Sequence, residues 1–406
     1  MKIGIIGAGA SGMAAALAAA QQPGAKVTVL ERQARVGRKL QATGNGRCNL
    51  SNLHAAEGGF HGDHPEFSRR AIAQFPPEQT LQWFRGMGLF TVAEPSGRVY
   101  PYSDQANSVV DVLRFAMEHN GVRLIPDCEV SRIRRQGAGF LVEGKEQKLE
   151  FDRVIVACGG LAGTKLGGTM AGYRLLRALG HHCGKLRPAL VQVKTGWHGI
   201  SGLKGVRANC RAAIYCDGQL HRESSGEIQF TDFGLSGPVM YEITRDACQG
   251  GGEWECRLDF LPQISEAELR QELLRRMETE LTTDDLLTGI LHNRLGRVLC
   301  QNAGIRSRYP IAELTGEEID EVCCSVKEFS VSLTELLGMD AAQVTAGGID
   351  TDEFDPDTME SRLVPGLYAC GEVLDVDGDC GGYNLQWAWS SGRMAGLHAG
   401  KESLYD

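Results

Sequence analysis

The chain is 406 residues long, beyond the usual single-domain size, so two or three domains are expected. A net charge of −9 argues against a nucleic-acid partner, which calls for a basic face, and leaves a small-molecule partner as the expectation. Thirteen cysteines with no C-x-x-C pair and no His/Cys cluster at metal spacing read as reduced thiols in a cytoplasmic protein with no metal site.

A β-branched run, Lys2 to Ile6, leads into Gly7-Ala8-Gly9-Ala10-Ser11-Gly12, and an Ala-rich helix follows at once. A second apolar run, Lys26 to Leu30, ends in Glu31. A lone G-x-G-x-x-G is weak evidence, but strand, glycines, helix, strand and acid stand here in order. Gly7 provides the sharp turn, Gly9 the close approach to a pyrophosphate, and Gly12 the close helix–strand packing. Ala10 and Ser11 open the helix whose N–H groups and positive dipole end face the phosphates. Glu31 falls where a carboxylate accepts the ribose hydroxyls, with Arg32 beside it. This fingerprint explains residues 3–20 better than a leader or a membrane anchor does, and no other apolar run approaches a bilayer span.

Residues 32–52 (RQARVGRKLQATGNGRCNLSN) hold Gly44, Asn45, Gly46 and Asn49 close together, which rules out regular helix or strand. With the cations Arg38, Lys39 and Arg47 set among them, a cofactor-wrapping loop is expected rather than a flexible surface loop. Residues 65–88 carry helical spacing, and Leu89 to Ala93 with Arg98 to Pro101 form a hairpin. Ala106 to Asn120 is a helix, Val122 to Ile125 a parallel strand, and Cys128 to Val142 with Lys148 to Phe151 a small antiparallel layer that includes Val130. Arg153 to Ala157 is a buried strand whose Cys158-Gly159-Gly160 turn should face the cofactor. Gly172 to Gly180 continues as helix. From about Pro188 short strands predict an antiparallel sheet or barrel: 190–195, 206–215, 220–222, 227–231 and 254–260. Leu235 to Ala247 reads as a helix, residues 265–303 and 316–325 as a helical subdomain, and 327–333 as a returning strand. Gly366 to Ala369 is strand again, Gly371-Glu372 ends it, and Gly381-Gly382-Tyr383-Asn384 opens a helix through Leu397.

Three stretches, GRKLQATGNGRCNLSN (37–52), TDFGLSGP (231–238) and residues 345–392, resemble the bacterial FAD-dependent BaiN-like flavoproteins, also labelled aminoacetone-oxidase-like. The resemblance implies an α/β, Rossmann-like FAD-binding domain of glutathione-reductase type, made of residues 1–189 and 344–406. An insert, 190–343, would interrupt it: a β-barrel over 190–262 and 326–343, and a helical subdomain over 263–325. The family usually carries His where this chain has Asp232, and Gly-Asp-Gly where it has Met170-Ala171-Gly172. Residues Arg38 to Asn49 are placed along the flavin. Glu372 would take a ribityl hydroxyl or serve as a turn carboxylate, and the helix opening at Gly382, Tyr383, Asn384, Leu385 and Gln386 would face the flavin N1–C2=O edge.

The flavin carries the hydride, so the protein must supply a proton donor. Arg47 and Tyr383 are the candidates, and a structural role is open for both. Cys48 and Cys380 are either redox-active or packing residues. Only one dinucleotide fingerprint is visible, so NAD(P)H would visit the flavin transiently as electron donor. The expected function is NAD(P)H-linked reduction of an activated C=C bond. The alternatives are an oxidase of a small amine or hydroxyl compound and a flavin-bound RNA-modification protein.

Overall fold

The computed structural model describes residues 1–401 except 146, 246, 249 and 250. They fall into two compact units, Met1–Pro188 joined with the chain from Gln343 onward, and Ala189–Ala342. In the first, five parallel strands run in the order Leu367–Ala369, Arg153–Val156, Lys2–Ile6, Lys26–Leu30 and Arg123–Ile125. The central strand is apolar on both faces because both are covered: Ile3 and Ile5 on one face and Ile6 on the other are buried, and so is Val29 on the neighbouring strand. Gly4 sits in the middle of it because the Phe151 ring occupies the space where a Cβ would be, 2.6 Å away.

The first helix (Ala10–Ala20) packs on the C-terminal helix (Tyr383–Gly400) through small residues on both. An added Cβ at Gly392 or Gly396 would lie 2.3 Å from the Ser11 carbonyl oxygen or 2.1 Å from that of Ala15. The chain's two ends are thus joined backbone to backbone. Residues 65–88 form two helices, Glu66–Gln74 and Pro77–Gly86, because Pro76-Pro77 cannot continue the first. A three-stranded layer (Val130–Gln136, Gly139–Gly144, Lys148–Phe151) is inserted in the chain between the third and fourth sheet strands in chain order, Arg123–Ile125 and Arg153–Val156.

The second unit contains a closed six-stranded barrel, ordered Val193–Thr195, Gly234–Ser236, Gln219–Phe230, Arg207–Cys216, Trp254–Asp259, Phe329–Leu336. Alternation fills its interior: Cys210, Ala212 and Ile214 on one strand face Cys256 and Leu258 on the next, all at most 1% exposed. The strands expected at 220–222 and 227–231 are one strand, Gln219–Phe230. Ser224-Ser225-Gly226 reads as a turn but stays extended, because the helix Pro238–Ile243 lies on it, with Val239 Cβ 3.6 Å from where a Gly226 Cβ would stand. The helical region is three helices, Glu266–Arg276, Asn293–Asn302 and Gly316–Lys327. The first and third are started by capping boxes at Ser265 and Thr315, each worth about 1 kcal/mol. No described helix is long and apolar enough to cross a membrane.

Candidate functional site

The site is built where strand ends meet two helix N-termini. Gly7 has a φ of +107°, and an added Cβ there would come 2.4 Å from the Ala157 carbonyl oxygen. Gly12 is equally tight, at 2.0 Å from the Gly7 carbonyl oxygen. At Gly9 and Gly159 the opposite holds: an added Cβ meets nothing within 4 Å. These two backbones border open space. Gly9 caps the first helix without a side-chain bond, and no acid occupies the first turn. Its first intrahelical bond runs from Met13 N–H to the Gly9 carbonyl (3.0 Å), so the N–H groups of Ala10, Ser11 and Gly12 point outward with the positive dipole end.

Glu31 stands at the end of the neighbouring strand with its carboxylate fixed by backbone donors. Ala8 N–H donates to Oε2 (2.7 Å) and Gln33 N–H to Oε1 (2.9 Å). Each oxygen keeps a further lone pair for a ribose hydroxyl. Cys128 N–H bonds the Glu31 carbonyl (2.8 Å), which brings the buried Val130 strand alongside. Arg32 is exposed and donates to the Gly167 carbonyl (2.8 Å).

The second half of the site starts at Gly37, whose N–H bonds the Ala8 carbonyl (3.0 Å). The short helix Arg38–Ala42 follows, then a tight run with positive φ at Gly44, Asn45, Gly46 and Cys48. For Asn45 and Cys48 that conformation costs about 1–2 kcal/mol each, a strain that functional loops store. Asn49 Oδ1 is buried with no hydrogen-bond partner. It lies 3.0 Å from the position a Gly382 Cβ would take, at the start of the C-terminal helix. That helix also lacks a side-chain cap and first-turn acids. Its first intrahelical bond runs from Gln386 N–H to the Gly382 carbonyl (3.0 Å), so the N–H groups of Asn384 and Leu385 stand at its positive end for a ligand. The Asn384 side chain clamps the preceding loop, accepting from Gly378 N–H (2.8 Å) and donating to its carbonyl (2.7 Å).

Glu372 and Gly371 join the two halves. An added Cβ at Gly371 would meet Ser11 Oγ at 2.5 Å, and Gly371 N–H donates to Ser391 Oγ (3.0 Å). Lys39 Nζ pairs with Glu372 Oε2 at 2.7 Å, and Thr345 N–H donates to Oε1 at 2.9 Å.

Several expected roles change. Lys39 is neutralised by Glu372, so it adds no net positive field at the flavin edge. Arg47 lies over the Tyr100 ring (4.0 Å), with Nε on Asp104 (2.6 Å) and a second nitrogen on Glu94 (3.4 Å). The bond to Asp104 raises its pKa further, so it holds its protons rather than donating them. Gln386 is fully buried, accepting from Ser51 Oγ and donating to the Phe75 carbonyl, Thr80 and Ser390. Nothing of its amide is left for a cofactor. Burial pushes the Cys48 and Cys158 thiols up to about 12, which makes them packing groups and not nucleophiles. Asp232, in the other unit, pairs with Lys204 (2.9 Å) on the surface.

Two polar residues at this place have no signal in the sequence. His61 Nε2 lies 2.8 Å from Asp379 Oδ1, and Phe60 meets the Tyr383 ring edge-on at 5.8 Å. The strand Phe60–His61 pairs antiparallel with Asp377–Gly378, which puts His61 opposite Asp377. Elsewhere, the surface side chains of His64, Asp350 and Asp352 bring ligand atoms within 4.8 Å of one another.

Two uncapped helix N-termini at the strand ends of a parallel sheet, with a fixed carboxylate between strands, define a Rossmann-type flavoprotein. Open backbone at Gly9 and Gly159 and the orphaned Asn49 acceptor are what a bound FAD would fill and satisfy, so the residues present fit that cofactor. The chain belongs to the HI0933-like family: the family model described as HI0933-like protein Rossmann domain matches residues 1–398. It is a BaiN-like FAD-dependent oxidoreductase. It is 40% identical over 404 residues, 98% of both chains, to the 3-dehydro-bile acid delta(4,6)-reductase of Clostridium scindens. It is 30% identical over 391 residues, 95% of each chain, to the ribosomal RNA dihydrouridine synthase of Escherichia coli. The solved 3-ketosteroid delta1-dehydrogenase of Sterolibacterium denitrificans shares the fold, with a TM-score of 0.52 at 15% identity over 98% of this chain and 99% of that one.

Proposed function

We propose that this protein uses FAD to saturate a C=C bond conjugated to a carbonyl in a small organic substrate, drawing electrons from a nicotinamide dinucleotide. The observation that carries the reading is full-length likeness, 98% of each chain at 40% identity, to a relative named as a delta(4,6)-reductase. Bound and reduced, FAD supplies the hydride. The N–H groups of Ala10, Ser11 and Gly12 hold its diphosphate, Glu31 its AMP ribose, and Glu372 a ribityl hydroxyl. The N–H groups at Asn384 and Leu385 face the pyrimidine edge, where the helix dipole favours negative charge. Arg47 positions the loop 43–49 through Tyr100, Asp104 and Glu94. Nicotinamide reaches the flavin transiently, because the described residues contain a single parallel five-stranded sheet.

The uracil C5=C6 bond of the dihydrouridine synthases is also an alkene conjugated to a carbonyl, so the chemistry alone does not separate the two substrates. Charge does. The unit 189–342 carries 15 Lys and Arg against 24 Asp and Glu, which accounts for the whole chain's −9. A ribosomal RNA substrate would meet that unit with repulsion. The test is to reduce the holoenzyme anaerobically with NADH or NADPH and add a 3-keto-Δ4 steroid acid. Return of the oxidised flavin spectrum supports the reading; reoxidation by uridine in RNA and by no small enone contradicts it.

A further inference from the structure

Saturating an alkene takes two hydrogens: a hydride on one carbon and a proton on the next. The described site holds few groups that could give the proton. Arg47 is bound by Asp104, Cys48 and Cys158 are buried thiols, and Lys39 is tied to Glu372.

We propose that His61, held by Asp379, is the acid that delivers this proton; the proposal rests on the reductase reading above. His61 sits on the strand Phe60–His61, whose partner Asp377–Gly378 leads directly into the loop that opens the C-terminal helix. The loop's position is fixed three times over. Asp379 N–H donates to the Gly59 carbonyl (2.9 Å), Asn384 clamps Gly378, and Phe60 packs on Tyr383. Gly59, at φ +81°, is where the group converges: an added Cβ would lie 2.6 Å from the Tyr383 ring and 2.9 Å from Asp379 Oδ2. Asp379, which holds the imidazole, thus lies at the start of the C-terminal helix, its carbonyl accepting from Asn384 Nδ2 at 3.4 Å.

The pairing suits an acid. Asp379 Oδ1 accepts the Nε2 hydrogen bond at 2.8 Å and so fixes the ring's orientation, while Nδ1 has no partner among the described residues. Asp377 lies opposite His61 in the strand pair, and the buried Asp375 accepts Asp63 N–H two residues further along the chain (2.9 Å). The His61 and Asp379 side chains are 24% and 38% exposed, open enough to exchange protons with water. In the step, the alkene π bond breaks. One carbon gains a C–H bond from the hydride that reduced flavin supplies, which carries both electrons. The carbon next to the carbonyl gains the Nδ1 proton. Neutral imidazole remains and takes a new proton from water.

The test uses FAD-loaded protein, wild type, His61→Gln and Asp379→Asn. Imidazole NMR of the oxidised holoenzyme, with His61 assigned from the His61→Gln spectrum, reads the pair without turnover. Asp379→Asn should change the His61 ring-nitrogen chemical shifts and speed exchange of the Nε2 proton with water; unchanged shifts and exchange overturn the pairing. Each protein is then reduced with dithionite and mixed anaerobically with cyclohex-2-enone or 1-nitrocyclohexene. A nitroalkene leaves as a stable nitronate and needs no acid. His61→Gln should slow reoxidation by the enone about 10²- to 10³-fold, and by the nitroalkene less than about threefold. Equal slowing of both, or none with the enone, overturns the proposal. A wild type that neither compound reoxidises contradicts the reductase reading itself, which is a separate result.

Discussion

Glu31→Ala removes the carboxylate that fixes the first two strand ends and would hold the AMP ribose. In the structure its two oxygens accept Ala8 N–H at 2.7 Å and Gln33 N–H at 2.9 Å. Their loss leaves two half-buried donors that water partly satisfies, so the protein without cofactor should lose about 1–2 kcal/mol of stability. Binding loses more. Two ribose hydroxyls bonded to a charged acceptor are worth roughly 1.5–3 kcal/mol each, and partial replacement by water leaves a net loss of about 3 kcal/mol. At about 1.4 kcal/mol per decade, FAD affinity should fall on the order of a hundredfold. Titrating FAD into protein stripped of flavin, followed by flavin fluorescence, gives the dissociation constant. Thermal melting of the stripped variant separates the stability term. A folded variant with an affinity within threefold of wild type would remove Glu31 from the ribose.

Lys39→Met should leave Glu372, 19% exposed, with Thr345 N–H as its hydrogen-bond donor, at a cost of about 1–3 kcal/mol. A lower melting temperature and weaker FAD retention are expected, with Lys39→Arg recovering most of both; a Lys39→Met protein equal to wild type in both contradicts the bridge. Burial lowers the His181 pKa below the ordinary 6.5, although Glu353 opposes the shift from 2.7 Å. The folded state therefore favours the neutral ring, and its contribution is complete at pH 8 and lost as pH falls through 6.5. The melting temperature should drop more between pH 7.5 and 5.5 in wild type than in His181→Gln, and parallel curves would refute this. Cys48, fully buried with its thiol pushed up to about 12, should resist iodoacetamide at pH 8 in the native protein while the exposed Cys324 is labelled. Peptide mass spectrometry showing Cys48 labelled first would place it at the surface.

The parallel sheet was legible because its strands are short apolar runs, the first two closed at once by Gly7 and Glu31. Asn49 and Gly382, far apart in the chain, could be assigned to one site because Gly and Asn clusters mark exposed backbone. Side-chain pairing was not legible. Lys39 and Glu372 are 333 residues apart, and each alone reads as a ligand for the cofactor, although they bind one another. His61 and Asp379 are 318 residues apart, and an isolated His in a loop carries no pattern. Gln386 follows the helix-opening motif and looks available, yet the core of Ser51, Thr80 and Ser390 holds it. In the barrel, Ser224-Ser225-Gly226 has turn composition, and the helix packed on it decides that it stays a strand.

The central claim is that reduced flavin on this protein passes its electrons to an alkene conjugated to a carbonyl. Anaerobic stopped-flow mixing of the dithionite-reduced holoenzyme with a series of α,β-unsaturated ketones, followed at about 450 nm in the flavin band, measures that transfer directly. At least one enone should restore the oxidised spectrum faster than air-saturated buffer does. If O₂ outruns every enone tried, and small amines bleach the oxidised enzyme, the protein is an oxidase and the reductase account is wrong.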